Sequence, residues 1–178
     1  TIAAKGATLD SRLNQLHNVF VDKNSSGNIV LGNGNTTNAD LNVSLGNASA
    51  GSKLNGSLTV HNYASGAANK LVVDKLLGAT GEINLINDET DINVASGAAI
   101  TANNVLLQAK SNAVSVTGGS VAAASRLTLD AANVNLTSGA LQAATAVATA
   151  SKDIAMTGGS MNATTATMTA GNNINLTN

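Results

Sequence analysis

Residues 153–178, "DIAMTGGSMNATTATMTAGNNINLTN", hold the phrase that decides the fold. Ile154-Ala155-Met156-Thr157-Gly158-Gly159 reads apolar, any residue, apolar, Thr, then a small pair. Twenty residues later Ile174-Asn175-Leu176-Thr177 begins the phrase again, and forty residues upstream Val114-Ser115-Val116-Thr117-Gly118-Gly119 has the same shape. Working outward, the pairs Ile92/Val94, Val114/Val116, Val134/Leu136, Ile154/Met156 and Ile174/Leu176 recur, their first members 22, 20, 20 and 20 residues apart. A second apolar position follows at Ile100, Val121, Leu141 and Met161. Between the two lies a small-residue corner: Ser96-Gly97, Gly118-Gly119, Ser138-Gly139, Gly158-Gly159. A third element starts at Leu127/Leu129, then Val147/Thr149, then Thr167/Thr169; Met168 signals a slip of register there.

Alternation inside each element means short strands, since side chains switch faces at every residue. Three such elements in about 20 residues make one coil of a three-sided solenoid. A single coil cannot bury its own inward residues, so coils must stack. The expected fold is therefore all-β, a parallel β-helix in which Ile92, Val114, Val134, Ile154 and Ile174 form one aliphatic ladder. Helix is the competing reading for the Ala-rich stretch "ALQAATAVATASKD"; the flanking Gly pairs and β-branched residues weigh against it. The chain has no Pro, as expected where every coil must donate and accept ladder hydrogen bonds. Its 25 Asn suit turns and can bond from coil to coil.

Two regions are expected. Residues 91–178 are regular 20-residue coils that continue beyond the C-terminus, because "NINLTN" stops part-way through a coil with no polar cap. Residues 1–90 keep the grammar with longer, less even corners such as "GNGNTTN" and "GNASAGS". Leu9, Leu13, Leu16 and Phe20 make a helical stripe, which predicts a short helix over 8–20, with a strand at "NVFV" as the alternative. At 20 residues per coil the chain makes about nine coils, a rod on the order of 43 Å long.

Composition narrows function. Charged residues are 11% with a formal net charge of −1, which excludes the basic stripe a nucleic-acid binder needs. Aromatics are 1%, so neither bases nor sugar rings find a stacking platform. There is no Cys for a disulfide or thiolate site, and no apolar run long enough to span a membrane.

No residue is assigned as catalytic, cofactor-binding or metal-binding. Asp88, Glu89 and Asp91 in "NDETD" are the densest acidic cluster, read as a solvated corner rather than a Ca²⁺ site. His17 and His61 are isolated, with no nucleophile and acidic partner at a recognisable spacing. Asp91, Lys110, Arg126, Asp130, Lys152 and Asp153 are scattered about one or two per coil, unlike a paired acid and base. Thr145, Thr149, Thr165, Thr167 and Thr169 are similar to a Thr-x-Thr ice-binding array, but cover only two coils. Eight Asn-x-Ser/Thr sequons occur, at Asn24, Asn35, Asn42, Asn47, Asn55, Asn135, Asn162 and Asn175, a small excess over chance among 25 Asn.

The repeat itself, "GGSVAAASRLTLDAANVNLTSGALQAAT" (118–145) and "IAMTGGSMNATTATMTAGNNINLT" (154–177), resembles the haemagglutinin-type repeats of filamentous-haemagglutinin-like exoproteins. The likeness covers residues 91–178 well and the first half loosely. It implies a right-handed parallel β-helix at the surface of a Gram-negative bacterium or released from it. It also implies an outer-membrane two-partner-secretion transporter as partner, and adhesion or toxin delivery as role. The Asn-Pro signatures of that family's secretion domain are absent, and no functional residue carries over, because these repeats hold none at fixed positions. The expected function is a non-catalytic adhesive stalk that meets a host-cell or bacterial receptor or glycan through residues 22–70, where the coils are irregular. The alternatives are a filament subunit joined end to end, and a carbohydrate-active β-helix enzyme.

Overall fold

The computed structural model describes residues 1–35, 37, 39–46, 48–66 and 68–177. The chain is a parallel β-solenoid of about 8 turns, about 22 residues per turn. Nine shorter coils were expected; long corners in the first half consume the difference. At ~4.8 Å per coil the rod is about 38 Å long.

The first wall stacks Asn18–Asp22, Leu41–Gly46, Leu71–Val73, Ile92–Val94, the end of Ala99–Thr117, the end of Ser120–Thr137, Ile154–Thr157 and Ile174–Thr177. Its register runs Leu41, Leu71, Ile92, Val114, Val134, Ile154, Ile174 without a break, the ladder expected from the phrase. The second wall aligns Leu77, Ile100, Val121, Leu141 and Met161. The third aligns Ile29, Leu58, Ile83, Val105, Leu127, Ala146 and Ala166. All three ladders face one continuous core in which Ile29, Leu58, Ile83, Ile92 and Ile100 are fully buried.

Two sequence expectations need correction. On the third wall Leu127 pairs with Ala146 and Leu129 with Ala148, so Val147 and Thr149 point outward. The register shift between Ala122 and Arg126 removes one residue from that coil, and a one-residue slip moves every side chain to the other face. The chemistry favours this choice. With Val147 inward, Thr145 and Thr149 would take hydroxyls into the core, whereas the chosen register buries Ala146, Ala148 and Ala150. Met168 and Met161 pack against the core beside those small residues.

The second correction concerns 8–20. No helix occurs among the described residues. Ala7–Leu9 pairs with the strand at Ile29–Leu31 and Asn18–Asp22 with Leu41–Gly46, which buries Val19 and Val21. Leu9, Leu13 and Phe20 are exposed, Leu13 at 87%, and of the stripe only Leu16 packs against the core. Between the strands, the Asn14 side-chain amide donates to the carbonyls of Leu9 and Gly32, and Leu16 N–H donates to Asn33 Oδ1 at 2.7 Å.

The small-residue corner works as expected, with one exception. Gly97, Gly118 and Gly158 have φ of 77°, 62° and 61°, and Ser138 adopts φ 51° at the equivalent place. A non-glycine residue there crowds its Cβ against the backbone.

Candidate functional site

The corner leading from the third wall to the first is seven or eight residues long in the first three coils (10–17, 34–40 and 63–70) and shortens to four at 88–91 and 110–113. In the regular coils it is short, and its inward position is Ala109, Ala131, Ala150 and Ala170 in register. In the early coils the same position holds Asn33, Asn62 and Asn87, 1%, 0% and 0% exposed. These buried amides hold the backbone of the longer loops. Asn33 Nδ2 donates to Asn62 Oδ1 at 2.9 Å, Asn62 Nδ2 to Asn69 O at 2.8 Å, and Asn87 Nδ2 to Thr90 Oγ1 and Asp91 O. Among the described residues no buried side-chain nitrogen or oxygen lacks a partner.

The described residues of four loops, 10–17, 34–40, 63–70 and 88–91, lie between third-wall and first-wall strands and so follow one edge of the rod as a crest. A chain of polar contacts crosses it. Arg12 lies over the Tyr63 ring at 4.6 Å, and Tyr63 OH donates to Asp10 Oδ1 at 3.1 Å. The Tyr63 ring packs on His61 with centroids 3.8 Å apart. His61 Nε2 lies 2.8 Å from Asp88 Oδ1, which also pairs with Lys110 Nζ at 2.7 Å. Burial raises the Tyr63 phenol above its ordinary value, helped by Asp10 and opposed by Arg12. At Asp88 burial pushes upward, but the hydrogen bonds and charges of Lys110 and His61 outweigh it and hold the carboxyl below the usual carboxylate range. That pairing stabilises the fold above about pH 4 and is lost as pH falls through the lowered value.

His61 is thus not isolated: register brings it beside Ile86, two residues before Asp88. The early coils here are 25 residues apart, from Leu58 to Ile83, so a 20-residue frame hides the contact. His17 stands apart from this chain and lies against the Asn35 amide, 3.0 Å from Nδ1. Asp88 and Asp91 of "NDETD" are both engaged with cations, Asp91 with Lys70 at 3.6 Å, while Glu89 is exposed. Among the described residues no group of three or more His, Asp or Glu is arranged to hold a metal.

Other acidic residues have a common structural task. Immediately before the first-wall strand, Asp40 Oδ1 accepts from Lys70 N, Asp91 Oδ1 from Ala113 N and Asp153 Oδ1 from Asn173 N, at 3.0, 3.1 and 3.0 Å. Each carboxylate clamps its own corner to the next coil. Arg126 and Asp130 face outward on the third wall, and Lys152 is exposed. The Thr-rich array is real on that face, with Thr145 paired to Thr165 and Thr149 to Thr169. Of the sequons, Asn35 is buried, while Asn24, Asn55, Asn162 and Asn175 are exposed; Asn47 lies outside the described residues.

Fold and site together define a parallel β-solenoid with one elaborated, polar corner. Comparison with protein-family models, curated proteins and solved structures found no match to the chain.

Proposed function

We propose that the chain is a non-catalytic structural and adhesive segment of a secreted bacterial surface exoprotein. The observation that carries this reading is the crest: in four successive coils the connections from the third wall to the first follow one edge of a regular rod, three of them seven or eight residues long. A rod supplies reach and rigidity, and loops supply variable contact. Arg12, Leu13 and His17 are exposed on the crest, available to a receptor or glycan. The carboxylates of the corners are meanwhile spent on coil-to-coil clamps rather than on acid–base pairs.

The resemblance of the 20-residue phrase to haemagglutinin repeats supports passage through an outer-membrane two-partner-secretion transporter of a Gram-negative bacterium. The physics suits that route. Contacts run between neighbouring coils, so a chain threaded unfolded through a pore folds coil by coil outside. Protease added to intact source cells should remove the protein, and disrupting the transporter should leave none at the surface. Full protection from external protease, with none in the medium, would sink the proposal.

A further inference from the structure

The third wall has the longest paired strands of the regular coils, and its outward side chains are self-complementary. Between buried Val105 and Leu107, Leu127 and Leu129, and Ala146 and Ala148, the centre of the wall presents Leu106, Thr128 and Val147 in one register line. On one flank of this line stand Asn104 and Arg126; on the other stand Gln108 and Asp130. Arg126 Nε donates to Thr128 Oγ1 at 3.2 Å, and Asp130 Oδ2 accepts from Gln108 Nε2 at 2.8 Å. Neither Arg126 nor Asp130 makes an ion pair among the described residues. A cation and an anion are thus displayed four residues apart on one strand, on either side of an apolar and Thr-lined centre.

We infer that this wall binds a second copy of the chain, the two rods lying side by side and parallel about a two-fold axis along the rod. That symmetry keeps each coil opposite its own copy and exchanges the two flanks. The centre line meets itself, Leu106 on Leu106 and Val147 on Val147. Arg126 of each copy meets Asp130 of the other, and Asn104 meets Gln108. An isologous interface needs such self-complementarity. Facing sheets pack about 10 Å apart, a gap that the long Arg and short Asp side chains can close together.

The size of the face sets the strength. Five strands at ~4.8 Å spacing and six residues at ~3.3 Å rise give a footprint of about 500 Å² per copy. Twice that, about 1,000 Å², lies at the low end of specific interfaces, where contacts are weak and transient. The inference goes beyond the adhesive reading and does not depend on it.

Sedimentation of the 178-residue chain tests it. At about 100 µM and low salt the wild type should sediment as twice 17.6 kDa, and added salt should weaken the association. R126D or D130R alone, each an exposed-face change checked by an unaltered β-sheet circular dichroism spectrum, should raise the dissociation constant at least ~10-fold. The double variant R126D/D130R should restore it. A wild type that remains at 17.6 kDa, or a dimer indifferent to all three variants, as end-to-end joining would be, overturns the inference. Restoration of R126D by E82R instead of D130R would also overturn it, because an antiparallel pair about Leu106 places Glu82 opposite Arg126.

Discussion

At the scale of single residues, the early coils depend on amides where the later ones use methyl groups. Asn62 is fully buried, accepts from Asn33 and donates to Asn69 O. Asn62→Ala leaves both partners buried without their bond, which should cost about 2–3 kcal/mol; chemical denaturation would read it, and an unchanged midpoint would show that the amide is dispensable. Ser138 gives the opposite sign. Its φ of 51° is one that the Gly at the equivalent position of the neighbouring coils accepts freely. Ser138→Gly should stabilise by about 0.5–1 kcal/mol, the relief of the crowded Cβ less the extra entropy of Gly; a lower melting temperature would contradict this. Tyr63 is the sole tyrosine and there is no Trp, so its phenol can be titrated by absorbance alone. Its midpoint should lie above the ordinary value of about 10. Asp10→Asn, which removes the acceptor's negative charge, should bring the midpoint down, and a midpoint unmoved by that change would mean that the contact to Asp10 does not form in solution.

At the scale of strands and corners, the sequence was informative where coils are short and equal. Ile92, Val114, Val134, Ile154 and Ile174 share chemistry and spacing, and their stacking follows from those two facts. The third wall was harder to read. In "TAVATA", residues 145–150, either alternate set can face inward, and the larger Val147 suggested the wrong one. Two buried Thr hydroxyls outweigh one exposed Val, a balance that apolar identity alone does not register. The stripe of Leu9, Leu13, Leu16 and Phe20 misled for a related reason. Helical spacing indicates a helix only if a core awaits the stripe, and here the neighbouring edges at 29–31 and 42–46 claim the backbone first. The crest was illegible for want of a ruler. His61 and Asp88 are 27 residues apart, and only the uneven coil lengths of this half make them neighbours. The buried Asn at 33, 62 and 87 are the signal that marks it: an inward amide stands where the later coils place Ala, and its hydrogen bonds tie down the backbone of a neighbouring corner.

At the scale of the whole molecule, regularity and elaboration divide the labour. The aliphatic ladders run the length of the rod, while both histidines, the tyrosine and Phe20 lie in its first coils. The corner carboxylates Asp40, Asp91 and Asp153 clamp one coil to the next. In the proposed function the crest makes the contact with a cell surface and the rod carries it. The most direct measurement is binding of the fluorescently labelled chain to cultured epithelial cells, compared between two triple variants. One replaces Arg12, His17 and Tyr63 by Ala on the crest; the other replaces Ser115, Asn135 and Asn175 by Ala on the outer face of the first wall. Both should keep the β-sheet circular dichroism spectrum, the crest variant should lose most of the binding, and the wall variant should keep it. Binding that survives the crest changes, or that falls equally with both, would contradict the account.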